Sequence, residues 1–492
     1  MGVYLLGIDI GTSACKVAIF EPSGKVVAQA NKGYQLYYPN PGWVEQDADE
    51  WWNAICAGIR EVLEQSGISS SDIAGIGIDG QSWSAIPVDK DGNALARTPI
   101  WMDTRARDIC AQVREELGFE RIFSVAGNDF LPSYTTPKML WFKKYAPDIY
   151  KKTDKFMQSN SYIAYRLTGE MSMDYSQGYG IHFFKMDDCT VDETLAKDMG
   201  LSADQIPPLY ECHTVIGKVT AQAAGQTGLV EGIPMVAGGL DAACGTLGAG
   251  VYLPGQTQEQ GGQAGGMSIC VNHALAHPKL ILSPHVVPGM WLLQGGTVGG
   301  GGTLRWFKQE FGEDLSFDEL TALAEPIAAG SDGVIFLPYM AGERSPIWNP
   351  DAKGVYYGLG FDKTKGHMVR ATLEGVAYSL EHNLRVASEV GAQVDELIAM
   401  GGASNSLLWT QIKADVTGKT IKVPTSDTAT TLGAAILAGV GVGVYEDFEQ
   451  AITQTIVITR EQKPNMEAHE LYQKYMQTYL KLADALTPIF QM

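Results

Sequence analysis

The sequence has few cysteines, no motif that pairs them, and no hydrophobic run long enough to cross a membrane. The seven cysteines are isolated and form no Cys-x-x-Cys pair, so reduced thiols and a cytoplasmic protein are expected. The longest apolar stretch, from Leu432 to Tyr445, is shorter than the ~20 residues of a membrane-spanning helix. We therefore expect no membrane partner, and we interpret this stretch as a buried helix and turn.

Positive charge is also scarce. The chain has 36 lysines and arginines against 56 aspartates and glutamates, a formal net charge of -20. Because nucleic acids are bound through positive charge, no nucleic-acid partner is expected. There is no Gly-x-Ser-x-Gly motif, and His273-x-x-x-His277 lacks the glutamate of a zinc protease motif. The sequence therefore disfavours serine hydrolases and metalloproteases.

The length of the chain and a proline-glycine break near its middle predict two domains. A chain of 492 residues is too long for one ordinary hydrophobic core. A break at Leu253-Pro254-Gly255 predicts one domain over residues 1–253 and another over residues 254–492, with a cleft between them. Stretches with the pattern of strand, loop and helix occur in both halves, which predicts an α/β fold.

A short stretch near the start, from Tyr4 to Phe20, has the pattern of two strands joined by a glycine turn. Successive amides in such a loop can face an anion. Asp9 can hold a divalent ion, directly or through water. The loop residues that can contact a phosphate are Gly11, Thr12, Ser13 and Lys16.

The second half repeats this glycine-rich pattern. Residues Gln260 to Met267 predict a second hairpin, and Gly299 to Gly302 precede a helical pattern. A third loop, at Gly401-Gly402, follows an apolar run. Glycine-rich turns are common, but three of them in one chain favour a nucleotide cleft to which both halves contribute.

Two further groups of residues have a functional and a structural interpretation. Asp241 begins a predicted helix, where an aspartate is either a cap or a base facing a substrate hydroxyl. Polar and aromatic residues follow two predicted strands, as in a carbohydrate site, although core tryptophans have the same pattern. These residues are Gln81, Ser82, Trp83, Trp101, Asp103 and Arg105.

Over nearly its whole length, the chain resembles the FGGY family of carbohydrate kinases. The most specific segment is Gly354-Val355-Tyr356-Tyr357-Gly358-Leu359 followed by His367 to Glu374. Segments Phe336 to Arg344 and Thr136 to Trp141 are similar to other parts of that family. The resemblance implies two ribonuclease H-like domains of the actin, hexokinase and Hsp70 type, and transfer of phosphate from ATP with Mg²⁺.

The resemblance also implies roles for individual residues. Asp9 would position Mg²⁺, and Asp241 would be the catalytic base. The implied nucleotide contacts are Gly11, Thr12, Ser13, Lys16, Gly262, Gln263, Ala264, Gly265, Gly301, Arg305, Gly401, Gly402 and Asn405. The expected sugar contacts are Gln81, Ser82, Trp83, Trp101, Asp103 and Asp241.

Within the family, the segments are most similar to those of xylulokinases, which implies D-xylulose as the default acceptor and D-xylulose 5-phosphate as the product. Xylulokinases commonly have Gln-Met-His at Gln81-Ser82-Trp83 and an amide side chain at Ala242. The acceptor therefore stays open to another pentulose or a hexulose, of the ribulose, fuculose or rhamnulose type. A polyol of the glycerol or erythritol type also stays open. The second loop, with Gln263-Ala264, also lacks the hydroxyl usual in the family.

Other classes of function stay open beside the kinase. One is a catalytically idle sugar or nucleotide sensor on the same fold, and another is an actin-like ATPase without a sugar acceptor. The presence of both Asp9 and Asp241 favours an enzyme over a sensor. The sequence leaves the oligomeric state open, with a homodimer among the options.

Overall fold

The computed structural model describes residues 2–312, 314–425 and 428–491. The strands of the N-terminal half are β1 (Tyr4–Ile10), β2 (Ala14–Phe20), β3 (Val26–Gly33), β4 (Glu45–Gln46), β5 (Ile73–Gly80), β6 (Ile86–Val88), β7 (Thr98–Pro99), β8 (Lys155–Met157), β9 (Met173–Asp174), β10 (Phe184–Lys185), β11 (Thr190–Val191), β12 (Leu209–Tyr210), β13 (Val215–Lys218), β14 (Pro234–Val236) and β15 (Gly239–Leu240). Its α-helices are α1 (Ala48–Ser66), α2 (Arg107–Leu117), α3 (Phe119–Ala126), α4 (Thr135–Tyr145), α5 (Pro147–Lys152), α6 (Ser159–Thr168), α7 (Glu193–Asp198), α8 (Ala221–Thr227) and α9 (Asp241–Gly248).

The strands of the C-terminal half are β16 (Gln256–Gly261), β17 (Gly265–Val271), β18 (Ile281–Pro284), β19 (Trp291–Thr297), β20 (Ile335–Leu337), β21 (Val355–Tyr357), β22 (Glu396–Met400), β23 (Thr420–Pro424) and β24 (Ile458–Gln462). Its α-helices are α10 (Gly301–Phe311), α11 (Phe317–Ala322), α12 (Lys365–Ser388), α13 (Leu407–Thr417), α14 (Ala429–Gly441), α15 (Phe448–Thr455) and α16 (Met466–Phe490).

Each half contains one seven-stranded mixed sheet, which confirms the predicted α/β class. The order of the first sheet is β13-β14-β5-β1-β2-β3, with β15 also paired to β5. The order of the second sheet is β18-β19-β17-β16-β22-β23-β24. In the first sheet β1 is antiparallel to β2 and parallel to β5. In the second sheet β16 is antiparallel to β17 and parallel to β22. The two sheets therefore share one plan, in which a hairpin is extended by a parallel strand from later in the chain.

Helix α1 packs on β2 and β3 of the first sheet. Its N-terminus is capped by Asp47, whose side chain accepts a hydrogen bond from the amide of Asp49. Its apolar positions Trp51, Ile55 and Ile59 are fully buried. Burying one large apolar side chain contributes about 1.5–3 kcal/mol, so this face fixes the helix on the sheet.

Helix α14 comes from the C-terminal half of the chain but packs on β1 and β5 of the first sheet and on α9. The approach is close because β5 carries a glycine there. A β-carbon at Gly77 would lie 1.8 Å from the carbonyl oxygen of Ala434. Leu432 and Tyr445 are buried, which confirms the interpretation of this apolar stretch as an internal helix and turn. Across the part of the chain that the structure describes, no helix has both the length and the apolar character of a membrane span.

The packing of α14 bears on the expected domain boundary. A boundary at residues 253 and 254 separates the two sheets, since β15 ends at Leu240 and β16 begins at Gln256. Leu432, Ala435 and Ile436 of α14 nevertheless belong to the same buried cluster as Leu5 and Phe20. Residues 1–253 therefore do not complete the core of the first sheet, and the sequence did not reveal this.

Candidate active site

Three carboxylates come together at the ends of β1 and β5 and at the start of α9. Asp9 of β1 and Asp79 of β5 are paired in register on adjacent parallel strands. Gly239 pairs with Asp79 from the other side of β5, which brings the chain to Asp241 two residues later. The sequence analysis selected Asp9 and Asp241 but missed Asp79, because pairing between strands 70 residues apart has no local signal.

Asp9 is buried, and its carboxylate accepts hydrogen bonds from Lys16 and Thr430. Its Oδ2 accepts hydrogen bonds from Lys16 Nζ at 3.2 Å and from Thr430 Oγ1 at 3.0 Å. Lys16 lies opposite Asp9 across the hairpin, whereas Thr430 belongs to α14. This long-range hydrogen bond joins α14 to this edge of the first sheet. Thr430 is a site residue that the sequence analysis missed.

The environment of the carboxylates raises two of their pKa values. Burial, and then repulsion from Asp9, raises the pKa of Asp241 to about 7, against a partial opposing effect of the Ala242 amide. That amide donates to Asp241 Oδ1 at 2.6 Å. Burial also raises the pKa of Asp79 well above its ordinary value, with Asp9 and Asp241 adding repulsion. A carboxyl with a pKa near neutrality can accept a proton in a reaction at physiological pH.

The first hairpin loop is held by residues from the predicted sugar side. Trp101 Nε1 donates to Thr12 Oγ1 at 3.0 Å, and Gln46 Nε2 donates to the Thr12 carbonyl at 2.7 Å. Gln81 Nε2 in turn donates to Gln46 Oε1 at 2.6 Å. Two of the expected sugar contacts, Gln81 and Trp101, are thus linked to an expected phosphate contact. Gln46, between them, was not selected from the sequence.

The second hairpin loop packs against the start of α10. The amides of Gly301 and Gly302 donate to the carbonyls of Gly262 and Gln263, at 2.7 and 2.9 Å. Gly300 has no room for a side chain, since a β-carbon there would lie 2.4 Å from the carbonyl carbon of Ala264. Ala264 and Gly265 therefore lie beside the entrance to α10, and two amides of the helix start are already used within the protein.

A cavity of about 380 Å³ lies between the second hairpin, α10 and the loop after β22. Six residues selected from the sequence line it: Gly262, Gln263, Gly301, Arg305, Gly402 and Asn405. Gly401, which precedes Gly402, has a φ of 84°, a conformation that favours glycine. Phe317, Asp318 and Trp409 also line the cavity and were not selected. Its size and mixed lining suit a small organic ligand.

The expected sugar side contains a cluster of aromatic rings. Trp83 stacks on Tyr134, with ring centroids 4.1 Å apart, and lies 5.4 Å from the Tyr179 ring. Tyr179 donates its hydroxyl hydrogen to Ser82 Oγ at 2.7 Å. Within the described residues, Trp83 Nε1 and Gln81 Oε1 are buried without a hydrogen-bond partner. Trp83 therefore packs partly as a core residue and still has an unused donor.

Lys138 holds the backbone of the expected sugar side through hydrogen bonds. It is fully buried, and its ammonium donates to the carbonyls of Trp83, Ile100 and Ser133, at 2.8, 2.8 and 2.6 Å. Burial lowers its pKa to about 7. Trp83 has a φ of 60°, which is unusual for a residue with a side chain. The bond to its carbonyl helps to hold that strained conformation, so Lys138 positions both Trp83 and the segment before Trp101.

Asp103 is buried and fully engaged within the protein. Its carboxylate accepts hydrogen bonds from the Val44 amide at 2.7 Å and from Arg105 Nη2 at 2.8 Å. Arg105 also pairs with Glu45 and lies over the Trp43 ring. In this arrangement Asp103 holds the loop that carries Trp101. Direct contact with a sugar stays a prediction.

The chemistry of the acidic group suits a divalent cation that arrives with phosphates. Asp9 offers a carboxylate, and both oxygens of Asp79 are buried without a hydrogen-bond partner among the described residues. No set of three or more Asp, Glu, His or Cys side chains in those residues is arranged to hold a metal ion. Mg²⁺ commonly takes only one or two protein carboxylates and completes its coordination with water and phosphate oxygens. The residues therefore fit Mg²⁺.

Comparison with protein families gives two matches. Residues 4–248 match the N-terminal domain of the FGGY family of carbohydrate kinases. Residues 267–442 match the C-terminal domain of the same family.

Individual relatives are similar over nearly the whole chain. A xylulose kinase of Staphylococcus epidermidis is 33% identical over 477 residues, which cover 96% of this chain and 95% of that protein. The solved structure of a xylulose kinase from Rhodospirillum rubrum superimposes with a TM-score of 0.92 at 29% identity, covering 99% of this chain and all of the other. The solved structure of a gluconate kinase from Lactobacillus acidophilus gives a TM-score of 0.92 at 25% identity, covering 99% and 98%.

Proposed function

Because this chain belongs to the FGGY family of carbohydrate kinases, we propose that it transfers the γ-phosphoryl group of ATP to a terminal hydroxyl of D-xylulose. The two-domain actin and hexokinase-type fold and the use of ATP are those of the family. The observation that carries the proposal is the group of Asp9, Asp79 and Asp241 at one edge of the first sheet. It supplies a base and a cation site to one reaction centre.

In the proposed reaction, Asp241 accepts the proton of the attacking hydroxyl. The hydroxyl oxygen forms a bond to the γ-phosphorus while the bond between that phosphorus and the β,γ-bridging oxygen breaks, and ADP leaves. The raised pKa of Asp241 suits this role. Its place at the start of α9 and its hydrogen bond from Ala242 orient the carboxylate.

The nucleotide contacts that we propose lie in the first hairpin loop, the second hairpin loop and the loop after β22. Gly11, Thr12, Ser13 and Lys16 would face the phosphates from the first sheet, with Thr12 oriented by Trp101 and Gln46. The cavity beside α10 would hold the adenosine, with Arg305 and Asn405 in its lining. Asp9 would hold Mg²⁺, which neutralises charge on the phosphates when bound.

The acceptor rests on the curated and solved relatives named as xylulose kinases. Trp83 and Ala242 differ from the usual xylulokinase residues, and the gluconate kinase structure is equally similar in fold. A panel of pentuloses, hexuloses, polyols and gluconate, read by ADP release and by the phosphorylated product, tests the assignment. We expect the highest kcat/KM with D-xylulose. A higher value for another acceptor would reassign the substrate but not the reaction.

Asp241→Asn tests the assignment of the base. The amide keeps the shape but cannot accept the proton, so kcat should fall by roughly 10²–10⁴-fold. Affinity for sugar and nucleotide, measured by calorimetry, should stay close to that of the wild type. A variant with near-normal turnover would show that Asp241 is not the base.

We further infer a cytoplasmic location, since all seven cysteines are free thiols and six of them are buried. Formation of a homodimer stays a prediction, and sedimentation equilibrium would test it.

A further inference from the structure

Asp79 is an unusual residue within the acidic group. It lies near the end of β5, and its side chain is fully buried. Both carboxylate oxygens lack a hydrogen-bond donor among the described residues, and the side chain that interacts with Asp79 at hydrogen-bond range is the carboxyl of Asp9. A buried polar group without a partner costs free energy, so native proteins rarely retain one without a reason.

Another buried aspartate of the same domain shows the usual arrangement. Asp174 is as buried as Asp79. Its carboxylate accepts hydrogen bonds from Asn160 Nδ2 at 2.8 Å and from the Gln177 amide at 3.0 Å. These donors satisfy Asp174 from within the protein. Asp79 has no such set, although it lies beside two other acids.

The neighbours of Asp79 make a cation its natural partner. Asp9 is its register partner on β1, and Asp241 contributes further negative charge. Lys16 offsets part of this negative charge, but it bonds Asp9 and its side chain is 56% exposed. A divalent cation at this edge would satisfy Asp79 and reduce the repulsion within the group.

We propose that Asp79 is a second carboxylate anchor, besides Asp9, for the Mg²⁺ that accompanies the nucleotide. The inference rests on the proposed function for the identity of the cation and its nucleotide. Two carboxylates are too few to hold Mg²⁺ tightly alone, which agrees with the absence of a complete metal cluster among the described residues. The site is completed by phosphate oxygens and water.

The competing explanation is a protonated Asp79 that donates a hydrogen bond to Asp9 and never meets the metal. The two explanations differ for Asp79→Asn. The amide keeps the size and can still donate to Asp9, but it has lost the negative charge that attracts a cation. Only the metal-anchor role predicts a loss of cation affinity in this variant.

Binding of Mn²⁺ in the presence of ADP, measured on the full chain by electron paramagnetic resonance without any sugar, tests the proposal. Asp79→Asn should weaken Mn²⁺ binding by about 10- to 100-fold, the range for residues that support a metal site. Binding of ADP in EDTA should be unchanged. Asp89→Asn, which removes the same charge from an exposed turn, should bind Mn²⁺ as the wild type does.

Wild-type Mn²⁺ affinity in Asp79→Asn overturns the proposal in favour of the protonated carboxyl. If Asp79→Asn loses ADP binding in EDTA, Asp79→Ser is measured in the same way. Wild-type Mn²⁺ affinity in Asp79→Ser would also overturn the proposal. The result is independent of the acceptor. A chain that binds Mn²⁺ and ADP as expected but phosphorylates no sugar would refute the proposed function and leave the metal anchor standing.

Discussion

At the scale of single residues, the raised pKa of Asp241 predicts an unusual pH dependence. The base must be deprotonated to act, so the rate falls as the pH falls through its pKa. Burial and Asp9 raise that pKa from 3.8 to about 7. We expect the acidic limb of kcat/KM for the sugar well above pH 3.8, moving to lower pH as Mg²⁺ is raised, because the cation offsets Asp9. A limb at the ordinary carboxyl pKa, or one insensitive to Mg²⁺, would contradict this.

The hydrogen bonds of Lys138 predict that its replacement lowers both stability and sugar affinity. Its three hydrogen bonds hold the carbonyls of Trp83, Ile100 and Ser133. Lys138→Met keeps the length but leaves the carbonyls without a donor, at a cost of about 1–3 kcal/mol for each buried group without a partner. We expect a lower melting temperature and a several-fold higher KM for the sugar. The KM for ATP should rise less, because Lys138 reaches the phosphate loop only through Ile100 and the neighbouring Trp101, which bonds Thr12. An equal rise in both KM values would argue against a role mainly on the sugar side.

Individual residues also show how far sequence reasoning reached. Asp9 and its hairpin were predicted because a glycine loop between two apolar runs is a local pattern. Asp241 was selected for its place at a helix start, combined with the family resemblance. Asp79, Gln46 and Thr430 were missed because their neighbours in space, Asp9 and Thr12, are distant in sequence.

At the scale of elements, the contact between β5 and α14 depends on a glycine. A β-carbon at Gly77 would lie 1.8 Å from the Ala434 carbonyl oxygen, so Gly77→Ala must push the helix away from the sheet. We expect a loss of at least about 1–3 kcal/mol in unfolding free energy, the usual cost of overpacking. Because α14 carries Thr430, which bonds Asp9, activity should fall as well.

The matched control is Gly225→Ala in α8. A β-carbon there meets no atom within 4 Å, and the residue is helical. Alanine should therefore be neutral or stabilise the protein by up to about 1 kcal/mol. Urea unfolding of both variants compares the two sites. Equal stability of the Gly77 and Gly225 variants would show that the contact between β5 and α14 is not tight.

The two hairpins show a limit of prediction at this scale. Their existence was predicted from glycine-rich turns, and the structure has them at β1-β2 and β16-β17. Their surroundings could not be predicted. The second loop packs on the start of α10, and its carbonyls accept the first amides of that helix. Which backbone groups stay available for a ligand depends on tertiary packing, which the composition of a loop does not encode.

At the scale of the whole molecule, α14 links the two halves. The sequence predicted two domains meeting near residue 253, because Leu-Pro-Gly is a local break. The two sheets do fall on either side of that point. The core of the first sheet crosses that point, since it includes Leu432, Ala435 and Ile436 from the C-terminal half. An apolar stretch identifies a buried helix but not the sheet that it covers.

This linkage predicts that residues 1–253 do not fold alone. Without α14, the face of β1 and β5 around Gly7 and Gly77 is uncovered, and Asp9 loses Thr430. Each large apolar side chain that becomes exposed costs about 1.5–3 kcal/mol, and a typical domain has only 5–15 kcal/mol of stability. We expect the fragment to aggregate when expressed alone and to become soluble when coexpressed with residues 254–492, which supply the helix in trans. Size-exclusion chromatography and circular dichroism measure both outcomes. A fragment that lacks part of its core should melt without a sharp transition. Cooperative thermal unfolding of residues 1–253 alone would therefore contradict this prediction and show an independent domain.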